Sequence, residues 1–389
     1  MVQYSSLEKI MDVKEHFKNV ASSRNLIRVI SILFVITSIA MFSCEEKEKE
    51  EEEEEIIVSF DGSGTSTDPY LIGTAEQLAE FAELVNASAI DNAYNDKFYR
   101  LTADIDLSSY GSSWNNEKGW IPIGAYNPFL GNFDGNNRKV NGLYINDGSI
   151  IAGLFGAIYG TVRNLGVSGT VIGGNEVGGI VGLIEDGGSI ANCYAAVIVS
   201  GQNMVGGVIG RIVMGNMSNC YATGTVSGSL AVGGVAGLVA GSSLTNCYAT
   251  GAVSSAYAGN NVGGVVGEIN GGSVARSVAL NPSITLTSFA VTEVGRVAGA
   301  NFGTLNNNVA WYGMEALGGI VFNIGSVNNK DGADITTTQA KTQTTYTGIG
   351  WSFGNNDNNP WKMGVGEYAL PVFYWQTTAP AAMPDHLRE

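Results

Sequence analysis

From about residue 150 onward, apolar residues come in short, often β-branched runs punctuated by Gly, Ser and Asn. No segment there has the 3.6-residue period of an amphipathic helix, so the pattern predicts short strands and turns. One line recurs. VGGIVG begins at Val177, VGGVIG at Val205, VGGVAG at Val232, VGGVVG at Val262 and VGRVAG at Val294, with steps of 28, 27, 30 and 32 residues. A second line follows each of the first three: ANCYAAV from Ala191, SNCYATG from Ser218 and TNCYATG from Thr245. It decays to ARSVA at 275–279 and NNNVA at 306–310, and an earlier unit holds GLFG at 153–156 and VRNLGVSG at 162–169.

A unit of this size cannot bury its own apolar face, but stacked copies can. Three short strands and three turns fit in one unit, with each coil lying on the last at an interstrand spacing of about 4.8 Å. The expected fold is therefore all-β: a parallel, right-handed β-helix solenoid of 27–32-residue coils. A β-propeller blade needs about 40–50 residues, which is too long for this period.

The ends break the pattern. TAEQLAEFAELVNAS, 74–88, has Thr74 and Gln77 at capping-box spacing and an apolar stripe of Leu78, Phe81, Ala82 and Val85. It predicts a short amphipathic helix capping the first coil. FYRLTADIDLSS (98–109) and FLGNFDGNNRKVNGLYI (129–145) read as irregular first coils, with a turn at Asp134-Gly135-Asn136-Asn137. After about residue 330 the repeat is lost, and Trp351, Trp361, Tyr374 and Trp375 are expected to form an aromatic cap over the far end of the core. The expected organisation is 57–330 solenoid, 331–376 C-terminal cap and 377–389 disordered tail.

Alternation along the second line puts Cys193, Ala195 and Val199 on one face, and the same positions repeat at Cys220, Ala222, Val226 and at Cys247, Ala249, Val253. That face is apolar and should point inward, which makes the cysteines a packing ladder rather than disulfides, catalysts or metal ligands. Tyr194, Tyr221 and Tyr248 then face outward. They are candidate ligand-binding residues, as stacking steps for sugar rings; the competing reading is that they pack under a neighbouring segment. The glycines suit close coil packing and tight turns.

Composition adds a globular chain, 44% hydrophobic and 14% charged, with 53 Gly and 8 Pro. The N-terminus adds an address. Arg24 and Arg28 precede the apolar run VISILFVITSIAMF at 29–42, which ends at Met41-Phe42-Ser43-Cys44. The run is about two-thirds of a membrane-spanning length, so 1–43 reads as a secretory signal. Next comes EEKEKEEEEEE, 45–55, with nine Glu and two Lys (−7) in a chain of net charge −16. Segment 44–56 is expected to be an extended acidic tether, and an acidic chain without a basic cluster argues against nucleic acid.

Catalytic constellations are scarce. His16 lies in the signal segment and His386 in the tail, so a Ser-His-Asp arrangement or a histidine-ligated zinc is not expected in the solenoid. Carboxylates remain: Asp104, Asp106 and Asp134 in the early coils, with Glu176, Glu185, Asp186, Glu268 and Glu293 sparse in the repeats. No catalytic or metal residue is assigned and no cofactor is expected. Asn355, Asn356, Asp357 and Asn358 could bind calcium, though a polar turn is the simpler reading.

Several stretches resemble a known family. Ser43-Cys44 resembles a bacterial lipobox with Cys44 as the lipidated residue, and the acidic segment is similar to the export tag of Bacteroidetes surface lipoproteins. VGGIVG…NCYATGTVSG resembles the GLUG repeat of bacterial surface proteins. The leader GSGTSTDPYLIGTAEQLAEFAELVN and the closing GWSFGNNDNNPWKMGVGEYALPVFYWQ are similar to the segments that flank such repeats. Such proteins are described as adhesins, and GLUG repeats also occur in a bacterial immunoglobulin A peptidase. The resemblance implies an outer-membrane, surface-exposed lipoprotein held to the membrane by its lipid anchor alone. It would act as a non-catalytic adhesin for host or dietary glycans or glycoproteins. A polysaccharide lyase or glycoside hydrolase on a β-helix, and a stalk subunit without a ligand, remain the alternatives.

Overall fold

The computed structural model describes residues 59–87, 93–148, 151–256, 261–287, 293–364 and 366–388. The signal segment, Cys44 and the acidic tether lie outside these residues. Residues 58–389 form a compact unit of their own.

That unit is a parallel β-solenoid of about nine coils. One inner column shows how the coils stack. Tyr99, Phe133, Val162, Ile190, Met217, Leu244, Val274 and Leu305 follow one another in parallel register on successive coils. All eight are buried. The VGG segments form a separate five-stranded parallel sheet in strict sequence order: Asn175–Gly178, Asn203–Gly206, Leu230–Gly233, Asn261–Gly263 and Glu293–Gly295. Each identical line in the sequence is thus one step in a stack.

The NCYA line marks a corner. Asn164, Asn192, Asn219 and Asn246 have φ between 50° and 56°, the left-handed region in which Asn is the best tolerated residue after Gly. Asn adds what Gly lacks, a side chain that bonds along the stack. Asn192 Nδ2 donates to Asn164 Oδ1 at 3.2 Å, Asn219 to Asn192 at 3.1 Å, and Asn246 to Asn219 at 3.0 Å. Arg276 Nε feeds the start of this chain at Asn246 Oδ1 (2.9 Å), and Asn164 Nδ2 ends it on the Asp134 carboxylate (3.2 Å). Every amide points the same way, so the bonds polarise one another.

The next residue turns inward. Cys193, Cys220 and Cys247 are free, fully buried thiols, and each donates S–H to the carbonyl two residues back at 3.2 Å. Burial pushes the Cys193 and Cys247 thiols up. They are small hydrophobes in a ladder, as the alternation predicts. The glycine pairs close the opposite corner: a Cβ on Gly206 would lie 2.1 Å from Ile209 O, and one on Gly207 2.3 Å from Gly234 O of the next coil. Only at Val294-Gly295-Arg296 does the second glycine give way. There the chain that follows is the closing segment, and the buried Arg296 bonds to Gly332 O and the Asp334 carboxylate within it.

Helix α1 (Ala75–Asn86) covers the first coil with Leu78, Phe81, Ala82 and Val85 buried. Phe81 meets Tyr99 at 4.0 Å between ring centroids and stacks on Phe133 at 5.9 Å. Thr74 Oγ1 accepts from Gln77 N (3.2 Å), while the Gln77 side chain accepts from Gly73 N (2.7 Å) rather than from the cap residue itself.

The C-terminal region departs from the sequence expectation in three ways. The stack continues past 330, because Ala333–Ile335 pairs in parallel with Val309–Trp311. Beyond helices α2 (Thr337–Ala340) and α3 (Gln343–Gly348), the aromatic segment does not plug the end of the core. It runs back along the flank as a strap. Trp351 Nε1 donates to Arg276 O (2.6 Å), Trp361 Nε1 to Asn219 Oδ1 (3.3 Å), and Asn192 Nδ2 to Asp357 O (3.2 Å). Tyr374 OH meets Asn137 Nδ2 at 3.5 Å, and Lys139 Nζ donates to Thr378 Oγ1 at 3.2 Å. An antiparallel pair, Trp361–Met363 with Pro371–Phe373, stiffens the strap. Finally, the tail is ordered through 388. Leu387 is buried, and His386 packs on Trp311 at 4.7 Å and meets Leu280 O at 2.7 Å. Its anchors, Met383 and Leu387, are isolated large apolar residues in a short Ala- and Pro-rich tail and carry no periodic signal.

Candidate functional site

Tyr194, Tyr221 and Tyr248 do leave the outer side of their strands, and they stack on one another at 5.2 and 4.7 Å with planes within 13° and 7°. They do not reach solvent. The strap lies over them: Tyr221 OH bonds to the Gln376 side chain (2.9 Å), Tyr248 OH donates to Pro371 O (2.6 Å), and Tyr194 faces Trp375 at 5.9 Å. Burial raises all three phenols. A covered ring cannot stack on a sugar, so these residues dock the strap, and the expectation that they bind ligand is corrected.

The early carboxylates are likewise used by the fold. Asp104 accepts from Lys139 N and Asp106 from Ser108 N, both at 2.9 Å. Asp134 Oδ1 accepts from Asn136 N (2.9 Å) and Asn164 Nδ2 (3.2 Å), while Oδ2 accepts from Arg163 (3.0 Å). Of the three only Asp134 lines a cavity, and it does so beside Arg100 and Arg163 rather than beside a second carboxylate, so no acid and base pair converges there. Asp357, the carboxylate of the polar turn at 355–358, accepts from Tyr374 OH (2.9 Å) and Asn164 Nδ2 (3.2 Å). It joins the strap to the Asn ladder. Among the described residues no group of three or more His, Cys, Asp or Glu is placed to hold a metal.

The concave aromatic surface lies elsewhere, beside α1. A cavity of about 230 Å³ is lined by Ala82, Glu83 and Asn86 of the helix and by Trp114, Trp120 and Tyr126 of the segment that follows the first coil. Trp120 is the fixed wall, buried with Nε1 donating to Leu154 O at 3.2 Å. Tyr110 joins it edge-on, 5.7 Å from Trp120 and 5.1 Å from Trp114. Burial, with the Glu76 and Glu83 carboxylates, raises the Tyr110 phenol. Tyr126 is 67% exposed, and its backbone N–H is tied to Asn86 Oδ1 at 3.3 Å. Trp114 sits before three consecutive left-handed residues, Asn115, Asn116 and Glu117, at φ 51°, 54° and 66°. Such conformations cost about 1–3 kcal/mol each and cluster where a side chain must be held in place. The cleft is thus a concave aromatic surface with the Glu83 carboxylate at its rim, while the Asn86 amide is spent on Pro122 O (2.9 Å) and Tyr126 N (3.3 Å). Sequence reasoning missed these residues, because a few aromatics in a non-repeating loop carry no pattern.

Comparison with known proteins places the repeats. The GLUG motif matches residues 201–227 and 228–254. Two successive coils are thus similar to that motif. Halomucin of Haloquadratum walsbyi is 32% identical over 166 residues, 40% of this chain and 2% of halomucin. A protein of Evansella cellulosilytica described as a Gly-rich membrane protein is 39% identical over 116 residues, 28% of this chain and 12% of that protein. This GLUG-repeat chain therefore matches only a small part of the length of these relatives. A crystal structure from Bacteroides ovatus, described as a candidate immunoglobulin A1 protease, has a TM-score of 0.67 to it, covering 81% of this chain and 95% of that one at 24% identity. That likeness shows the shared solenoid fold.

Proposed function

We propose that this GLUG-repeat protein is a surface-displayed, non-catalytic binding protein of the adhesin type, and that it takes host or dietary glycans in the cleft between α1 and the Trp114–Tyr126 segment. The observation that carries this reading is the cleft itself. The Asn, Cys and Tyr of the repeats are all used by the fold, whereas the half-buried Trp114 and the 67% exposed Tyr126 line a cleft open to solvent. Display at the outer membrane would follow from lipidation of Cys44 and the acidic segment after it. A second acyl chain makes such anchoring stable where one does not.

The test is an array of host and dietary glycans and glycoproteins probed with residues 58–389, with soluble products assayed in parallel. Retention without product, lost in Trp114→Ala, is the expected result. Release of product would replace the reading with a lyase or hydrolase, and absence of both would leave a stalk. Cells fed radiolabelled palmitate should label the full chain but not Cys44→Ser.

A further inference from the structure

The outer face of the first coils carries a charged column that touches the repeats only where Asn164 bonds to Asp134, and that the aromatic cleft does not use. Arg100, Asp134 and Arg163 stand in register on three successive parallel strands, between Leu71 on one side and Ala191 on the other. Two guanidiniums therefore share one carboxylate. That carboxylate is oversubscribed, since its Oδ1 already serves Asn136 and Asn164 and its Oδ2 serves Arg163. Arg100 Nε comes no nearer than 4.0 Å. The nitrogen is shielded from solvent and has no hydrogen-bond partner among the described residues. A buried donor left unmade is costly, more so when it is charged.

In front of this column lies a cavity of about 200 Å³. Asn132 and Thr161 of the same strands floor it, and Ser66 and Pro69 wall it. The wall is a turn fixed by Ser63 N and Thr65 N, both donating to Asp68 O at 3.1 Å. The cavity thus joins the partly exposed Arg100 and Arg163 side chains (43% and 51%), an amide, two hydroxyls and a net charge of +1 on a chain whose total is −16. A cavity of net positive charge on an acidic chain favours an acidic ligand. Guanidinium presents a planar fork that matches a carboxylate or sulfate.

We infer that the Arg100–Asp134–Arg163 column is an anion subsite that takes the carboxylate or sulfate of an acidic saccharide. Arg100 and Arg163 are the donors, and Asn132 and Thr161 meet the ring hydroxyls. Asp134 holds Arg163 in place. The saccharide part rests on the glycan-binding reading above; the anion part does not.

Calorimetry with residues 58–389 separates the two. The probes are free glucuronate, a polyuronate hexasaccharide, a sulfated hexasaccharide and the carboxyl-reduced, neutral form of the polyuronate. The variants are Arg100→Ala, Arg163→Ala and the conservative Arg163→Lys, each checked for an unchanged thermal transition. The expected result is binding of an acidic hexasaccharide that falls by roughly tenfold or more in either alanine variant, the scale of a lost charge-assisted bond, and partial recovery with lysine. Uronate and sulfate arms tell which oxyanion is preferred. If the neutral hexasaccharide binds as well as the acidic one, or the arginine variants bind acidic ligand like the wild type, the anion subsite is overturned while the glycan reading stands. If glucuronate binds in an arginine-dependent way but no oligosaccharide does, the anion subsite stands and the glycan reading falls. No binding of any probe overturns both.

Discussion

In the GLUG units at 201–254, Asn219, Cys220 and Tyr221 each meet their own kind one coil away, at Asn246, Cys247 and Tyr248. In the coils at 98–163 nothing meets its own kind on the outer face: Arg100 lies on Asp134 and Asp134 on Arg163. The pairing of Asp134 and Val140 with the next coil also slips in register. The repeats are self-complementary, so each added coil satisfies the one before it and leaves little over. The early coils are heterogeneous, and heterogeneity leaves donors, rings and cavities unspent. Identity between coils therefore marks scaffold here, and departure from it marks where a ligand can be met.

The comparison breaks most violently if the strap is cut from the repeats. Trp361 is fully buried, stacked on Phe373 at 4.8 Å and set against Tyr221 and Tyr248. Trp361→Ala should cost about 3–5 kcal/mol in denaturant unfolding, expose the tyrosine ladder to nitration, and leave glycan retention by the folded fraction intact. Loss of binding at unchanged stability would place the ligand on the ladder after all. Alkali should act on the same seam. Burial pushes the Tyr368 phenol up to about 12, and Tyr221 and Tyr248 are raised too. The folded state keeps these phenols neutral, whereas in the unfolded chain they ionise near about pH 10. Their contribution is therefore full below about pH 10 and is lost as pH rises toward 12. Tryptophan fluorescence against pH should show the strap releasing in that window, and Tyr368→Phe should blunt the change.

At the corner, Asn219→Ala loses both the left-handed preference and two ladder bonds, and should cost about 2–3 kcal/mol. Asn219→Gly keeps the backbone conformation and should cost about 1 kcal/mol. Equal losses would mean that the left-handed preference contributes nothing, and no loss in Asn219→Gly would mean that the amide ladder contributes nothing. The smallest stability change belongs to the early coils. Tyr126→Ala, at a ring 67% exposed, should move unfolding by less than about 0.5 kcal/mol, as a surface change does, while glycan retention falls. That pairing of no structural cost with functional loss is the inverse of Trp361→Ala.

The inner face was legible in the sequence because a period-two alternation writes burial directly: Cys193, Ala195 and Val199 point inward as read. The direction of Tyr221 was legible for the same reason. Its cover was not, because the partner, Gln376, lies 155 residues away in a segment with no repeat to align it. The strap's aromatics announced a packing surface but not which one, and no local rule separates a plug at the end from a band along the side. The Arg100–Asp134–Arg163 column was hidden because these early coils share no recurring line, so nothing in the sequence aligns the three residues. Trp114 and Tyr126 were hidden because a pocket is made by the approach of α1 to a loop, which sequence distance does not report.

A stack of nearest-neighbour units can open from either end, one unit at a time. Here the strap returns from the last coil to Asn137 and Lys139, touching each coil between Arg276 and Asn164 on the way. Pulling on the C-terminus must first peel this band before any coil can unwind. The repeats behind it then yield as a block rather than as links in a chain. Under fluid drag such a protein keeps its length until one threshold load and then gives way at once, as a buckled belt does and a zipper does not.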